Sequence, residues 1–64
     1  MKWNNIKDTL PHDSERVLVW NGNLNQPEIL TYNDHYKCWD DSEGDDFYCH
    51  LSEAPEWISI PTRD

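Results

Sequence analysis

Strand-length apolar segments, separated by turn residues, constrain the fold of this chain more than any other feature. The run VLVW (residues 17–20) is followed by Asn21-Gly22, a pair that readily takes positive φ and so begins a turn. Pro27 lacks a backbone N–H and marks the start of a second strand over residues 28–32. This pattern predicts antiparallel hairpins.

The rest of the chain continues the same pattern. Asn33-Asp34 is a turn pair, and it predicts a tight hairpin into a strand over residues 36–39. The segment PEWISIP (residues 55–61) predicts a closing strand beside the VLVW strand or the N-terminal segment. The VLVW strand is expected to be central and covered on both faces. The prediction is a mainly β fold, a small curled antiparallel sheet of four to five strands with little or no helix.

The length of 64 residues allows a single domain over residues 1–64, with an acidic loop insert at about residues 40–54. A chain of this size buries only about 60% of the surface that its unfolded form exposes. Aromatic residues make up 12% of the chain, and each can bury roughly 150–250 Å². Aromatic packing is therefore expected to supply most of the stability, with help from a homo-oligomer interface.

The charge balance limits the class of partner. The chain has 13 acidic residues against five Lys and Arg, for a formal net charge of -8. This argues against duplex nucleic acid and against an anionic membrane, since both require a basic contact surface. It favours a basic protein, or a small ligand held by a few local groups.

The chain shows neither a secretory signal nor the roughly 20 consecutive apolar residues of a membrane span. The expected location is therefore the cytoplasm, which is the host cytoplasm for a phage-encoded protein. In that compartment Cys38 and Cys49 are expected to be free thiols.

Three motifs carry a family resemblance: WxxIKDxLP (residues 3–11), VLV (residues 17–19) and WISIP (residues 57–61). In this order and spacing they resemble the bacterial and phage domain-of-unknown-function family 551. That family has histidine where this chain has Glu56, and the acidic insert has no counterpart in it. The resemblance implies a small β domain of phage or mobile-element type without an established activity. By analogy, small acidic phage proteins act by binding a host protein or sequestering a host immune signal.

Aromatic residues gather around the predicted hairpin, where a nucleotide base could stack on them and a nearby cation could meet its phosphate. The alternative is that these rings are simply the core. The predicted ligand-binding residues are Arg16, Trp20, Tyr32, Tyr36, Lys37 and Trp39.

The stretch DDSEGDD (residues 40–46) is the second candidate site. Its spacing does not fit a calcium-binding loop. It fits a surface that mimics nucleic acid phosphates and docks on a basic protein, and the alternative is a solvated loop. The predicted protein-binding residues are Asp40, Asp41, Glu43, Asp45 and Asp46.

Two further chemistries have weak support. His35, Cys38, Cys49 and His50 have the atoms of a zinc site, but residues three apart on a strand face opposite sides. No glycine-rich phosphate loop is present, so neither an enzyme nor a cofactor is expected. The sequence predicts a non-enzymatic protein that sequesters a nucleotide-like ligand. The alternative is an acidic inhibitor of a host defence or nucleic-acid-binding protein.

Overall fold

The computed structural model describes residues 2–61 and consists of one antiparallel sheet of six strands. The predicted all-β fold is confirmed, with more strands than expected. Residues 2–61 contain no α-helix, and their one helical segment is a three-residue 3₁₀ turn at Leu51–Glu53, too short to cross a membrane. In chain order, the strands are β1 (Asn4–Asn5), β2 (Arg16–Asn21), β3 (Gln26–Asn33), β4 (Cys38–Asp40), β5 (Phe47–His50) and β6 (Glu56–Ser59).

The strands lie in the order β1-β6-β2-β3-β4-β5, and the sheet is not closed. The C-terminal strand β6 inserts between β1 and the central strand β2. Its Trp57 lies opposite Asn4 on one side and opposite Val19 on the other. The predicted place of the closing strand is therefore confirmed.

The connection between β2 and β3 is held by an asparagine side chain. Asn21 Oδ1 accepts hydrogen bonds from the backbone N–H groups of Asn23 and Leu24, at 3.0 and 3.2 Å. Asn25 completes the reversal with a φ of 54°, a conformation that asparagine tolerates better than most residues. The turn predicted at Asn21-Gly22 is thus present.

The hairpin between β3 and β4 is also present, with Tyr32 opposite Trp39, but its turn is longer than expected. Asn33 Oδ1 accepts the N–H of Tyr36 at 3.0 Å, and Lys37 has a φ of 53°. Tyr36 and Lys37 were predicted as strand residues. They lie in the turn because the positive φ of Lys37 is incompatible with an extended strand.

Strand β5 lies inside the segment that was predicted as an unpatterned loop, so that prediction is wrong for residues 47–50. Trp39 lies opposite Cys49 and Asp40 opposite Phe47, which leaves Tyr48 as the extra residue of a β-bulge. The bulge breaks the period-two alternation of apolar and polar residues, and this alternation is the sequence signal for a strand.

One face of the sheet, here called the inner face, holds the core. Trp39 and Tyr32 are 0% exposed and meet edge to face, with ring centroids 5.8 Å apart. The opposite, outer face carries Leu18 and Trp20, which are only partly buried. The expectation that β2 is covered on both faces is therefore wrong, because no second layer formed by residues 2–61 packs on the outer face of β2. The core cluster comprises Val17, Val19, Leu30, Tyr32, Trp39, Ala54 and Trp57.

Two indole N–H groups hold the connecting segments against the inner face. Trp39 Nε1 donates to the carbonyl oxygen of Ala54 at 2.9 Å, and Trp57 Nε1 donates to that of Thr9 at 3.1 Å. A buried indole N–H needs such a partner, since leaving it unpaired costs about 1–3 kcal/mol. Trp39 thus fixes the crossing from β5 to β6, and Trp57 fixes the connection from β1 to β2, while both rings pack in the core.

Candidate binding surface

The structure does not bring the six predicted ligand-binding residues together. Tyr32 and Trp39 are fully buried on the inner face, and the Tyr32 hydroxyl donates to Asp34 Oδ1 at 3.1 Å. Burial, followed by this hydrogen bond, raises the pKa of Tyr32. Neither ring has a face available to a nucleotide base, so these two residues serve the core.

The other four residues of that set lie apart from one another. Trp20 packs against Trp3 on the outer face of the sheet, and Tyr36 is 74% exposed at the tip of the β3–β4 hairpin. The Lys37 ammonium forms an ion pair with Asp34. This contact raises the pKa of Lys37 and lowers the pKa of Asp34. Lys37 is therefore already neutralised by its neighbour.

An open groove of about 450 Å³ lies on the outer face where β4 and β5 pair. We call it the aromatic groove. Its walls include the rings of Tyr36, Phe47 and His50, and its rim carries the carboxylates of Asp40 and Asp45. Its volume is within the range of about 300–1,000 Å³ that is usual for small-molecule sites.

Strand register places these groups together. Cys38 lies opposite His50 and Asp40 lies opposite Phe47, and residues opposite each other on paired strands share a face. The rings of Phe47 and His50 are 5.0 Å apart. Cys38 forms the floor, where burial and the nearby Asp40 carboxylate raise the pKa of its thiol. A thiol in this state is a poor nucleophile.

A second, more polar groove of about 370 Å³ lies beside the first. Asn33 Nδ2 donates to Asp40 Oδ2 at 3.0 Å, and both residues line both grooves. Arg16 is in the polar groove together with Asp13, Asp40 and Glu43. With three carboxylates around its single guanidinium, this groove is not suited to a phosphate group.

The acidic loop, defined as residues 41–46, is ordered by one of its own carboxylates. Asp41 Oδ1 accepts the N–H groups of Glu43 and Asp45 at 3.2 and 3.0 Å, and the Asp41 N–H donates to the carbonyl oxygen of Asp46 at 2.9 Å. The hydrogen bond from Asp45 is the main reason that the pKa of Asp41 is lowered. Asp41 therefore shapes the loop, while Glu43, Asp45 and Asp46 present exposed carboxylates.

Gly44 carries the tightest backbone requirement of this loop. Its φ is 77°, and a Cβ added there would lie 3.5 Å from Thr31 Cγ2, an ordinary contact. Gly44→Ala is thus expected to destabilise the protein by about 1 kcal/mol through the left-handed backbone alone. Urea unfolding measures this change in the free energy of unfolding. Gly22→Ala is the matched control, because nothing lies within 4 Å of its Cβ position and its φ is outside the left-handed region. Equal destabilisation by both substitutions would contradict the assigned loop conformation.

The four potential zinc ligands are distributed over both faces. His35 is in the hairpin turn, Cys38 and His50 are on the outer face, and Cys49 is on the inner face opposite Trp39. Both thiols are free, as expected. Within residues 2–61, no group of three or more His, Cys, Asp or Glu side chains is arranged to hold a metal ion.

Comparison of the chain with protein-family models, curated proteins and solved structures gives no match. The resemblance to family 551 stays a prediction. Function must therefore be inferred from the surface itself.

Phe47 and His50 line the aromatic groove, yet the sequence did not single out Phe47 or its neighbour Tyr48, and it indicated His50 only as a potential zinc ligand. The signal that could have found them is the adjacent pair Phe47-Tyr48. Two neighbouring rings on an extended segment point to opposite faces, so a thin sheet with one core face must leave one of them exposed. Both are exposed here, since Tyr48 is at the bulge and its hydroxyl donates to Glu28 Oε2.

Proposed function

We propose that this chain is a non-enzymatic binding protein that docks on a basic protein surface through the aromatic groove and the acidic loop. The proposal takes up the acidic-inhibitor alternative from the sequence. The observation that carries it is the combination of exposed rings with free carboxylates on one side of the sheet. Tyr36 and Phe47 are 74% and 57% exposed, and Asp45 stands beside them.

This arrangement has the composition of a protein-binding surface. Interfaces are enriched in tyrosine and phenylalanine at their centre and are surrounded by polar groups. Exposed rings of this size on a chain of 64 residues leave apolar area in contact with water unless a partner covers it. The rings supply the contact area, and the loop carboxylates supply orientation and charge.

Charge complementarity selects the partner class. The stretch over residues 40–46 holds five carboxylates, and the one ion pair within residues 2–61 joins Lys37 to Asp34 outside that stretch. None of these five carboxylates therefore forms an ion pair within the described part of the chain. Lysine and arginine side chains of a nucleic-acid-binding protein would complement them, and electrostatic attraction would accelerate association.

A second candidate is binding of a small aromatic ligand in the same groove, which the groove volume of about 450 Å³ and its three ring walls favour. Asp40 and Asp45 on its rim suit a neutral or cationic ring better than a nucleotide phosphate. Arg16 lies in the neighbouring polar groove among carboxylates, and Lys37 is paired. The nucleotide-like ligand predicted from the sequence is therefore the weaker proposal.

The test is an NMR titration of isotope-labelled protein with a lysine- and arginine-rich peptide that carries one aromatic residue. We expect shifts at Tyr36, Phe47 and the acidic loop. Affinity should weaken strongly between about 0.1 M and about 1 M salt, where the Debye length falls from about 10 to about 3 Å. A glutamate-substituted peptide is the probe control, and a panel of linear and cyclic nucleotides tests the second candidate.

The variants are chosen to leave the loop folded. Neutralising Glu43, Asp45 and Asp46 to amides leaves the Asp41 turn intact and should weaken peptide binding about tenfold. Tyr36→Ala should weaken it by about the same factor. Asp8→Asn is the control. Asp8 follows β1, which is at the other edge of the sheet from β5, so its substitution should change the peptide affinity little. Binding that is unaffected by both the triple variant and Tyr36→Ala would exclude this surface.

Association of copies, the phage origin and the cytoplasmic location stay predictions. Native mass spectrometry of the purified protein over a range of concentrations would report the copy number. If the protein is a monomer at all concentrations, the homo-oligomer prediction is wrong.

A further inference from the structure

A second aromatic site lies at the other end of the outer face, where β1, β6 and β2 run side by side. Leu18 lies opposite Ile58 and Asn5 lies opposite Glu56. Trp20 is two residues beyond Leu18, and Glu56 is two residues before Ile58. Trp3 is two residues before Asn5. In extended chains this spacing places Trp3, Trp20 and Glu56 on the same face.

The three side chains enclose a corner. The indole rings of Trp3 and Trp20 are 6.0 Å apart between centroids and inclined by 70°, and Glu56 completes the lining of a cavity of about 220 Å³. That volume is several times the approximately 30 Å³ that one water molecule occupies in the liquid. The space therefore accommodates a compact organic group between two ring walls and a carboxylate.

None of these residues belongs to the core cluster. Both indoles are only partly buried, and Glu56 is exposed. The core tryptophans, by contrast, donate their N–H groups to the backbone of Ala54 and Thr9. Trp3 and Trp20 thus stand apart from the two structural tryptophans.

Two ring faces beside one carboxylate have a defined chemical preference. The π-face of an indole is the strongest of the aromatic cation binders, and it attracts a cation within about 6 Å of its centroid. The Glu56 carboxylate, which lines the same cavity, adds a full negative charge. We propose that Trp3, Trp20 and Glu56 form a binding site for an alkylated ammonium group, of the kind that N-methylated lysine carries.

The charge of the protein restricts the molecule that bears this ammonium group. A formal net charge of -8 and the Glu56 carboxylate oppose a carrier with its own phosphate, such as phosphocholine. They favour a cationic side chain on a peptide. This inference does not rest on the proposed function, because the site shares no residue with the aromatic groove or the acidic loop.

The experiment is an NMR titration that follows the four indole N–H signals of the full chain. The probes are tetramethylammonium, an amide of trimethyl-lysine, phosphocholine and neopentyl alcohol, which has a similar shape without charge. We expect the first two probes to bind with millimolar dissociation constants. Trp3 and Trp20 should shift while Trp39 and Trp57 do not. Phosphocholine should bind more weakly, and neopentyl alcohol should produce no comparable shifts.

Glu56→Gln keeps the shape of the site and should weaken trimethyl-lysine binding about three- to tenfold, whereas Asp13→Asn, which removes a charge from the distant polar groove, should not. Trp3→Leu keeps an apolar side chain and should abolish the selectivity for the charged probe over the neutral one. Equal binding of neopentyl alcohol and tetramethylammonium would overturn the cation site. Tighter binding of phosphocholine than of trimethyl-lysine would overturn the assignment to a lysine-borne group.

Discussion

Trp39→Ala is expected to leave the protein unfolded at room temperature. The Trp39 ring is 0% exposed, meets Tyr32 edge to face and donates its N–H to Ala54. Truncating a buried tryptophan costs about 3–5 kcal/mol. A single core in a domain of this length rarely supplies more than about 3–5 kcal/mol of stability, so the truncation removes most or all of it. Circular dichroism and the dispersion of amide NMR signals measure the loss.

Two further substitutions separate the loss of packing from the loss of the hydrogen bond. Trp39→Phe keeps most of the ring but leaves the carbonyl of Ala54 without its donor, so it should fold with stability reduced by about 1–3 kcal/mol. Tyr36→Ala, at the exposed hairpin tip, should stay within about 0.5 kcal/mol of the parent. If Trp39→Ala folds with nearly parental stability, the inner face is not the core.

The second large effect is protection of the Cys49 thiol. Burial, followed by the charges of Glu53 and Glu28, raises the pKa of Cys49 from 9.0 to about 11. At pH 8 the folded protein should then hold about 100-fold less thiolate than the unfolded chain. Because the thiolate is the reactive form, alkylation by iodoacetamide should slow by about this factor. Mass spectrometry of Cys38→Ala protein, with and without urea, isolates Cys49.

The same shift makes stability depend on pH. The folded state keeps a proton on Cys49 that the unfolded state releases, so this contribution is complete below pH 9 and is lost as pH rises towards about 11. The raised pKa of Tyr48, caused mainly by its hydrogen bond to Glu28, acts in the same direction. The urea concentration at the unfolding midpoint should therefore decrease as the pH rises above 9. It should decrease less steeply for the Cys49→Ala variant. A Cys49 that reacts equally fast in folded and unfolded protein would contradict the pairing of β4 with β5.

The sequence predicted those strands whose signals are local. Strand β2 is a continuous apolar run ended by Asn21-Gly22, and β6 is bounded by prolines, so both were expected close to where they lie. Strand β5 was missed because its pairing with β4 contains a bulge. The extra residue interrupts the alternation of apolar and polar residues that predicts a strand. The turn position of Lys37 was missed because its positive φ is set by hydrogen bonds around Asn33 and by the Asp34 ion pair.

The candidate site was only partly predictable for a related reason. The sequence prediction treated the aromatic residues as one group. In a strand, however, successive side chains point to opposite faces, so the rings are divided between the inner and the outer face. Tyr32 and Trp39 are opposite each other and share the buried face, while Tyr36 is in the turn. Residues 41–46 form a loop as predicted, whereas Asp40 is the last residue of β4. The role of Asp41 as an acceptor for backbone N–H groups appears only in the folded chain.

An open sheet has two edges, and both edges of this one are short. Strand β1 has two residues and β5 has four, with a bulge in its pairing to β4. Short or bulged edges give incoming strands little regular backbone to extend, which is how natural sheets avoid fibril growth. The exposed aromatic rings of this chain therefore lie on a sheet whose edges offer little backbone for strand addition.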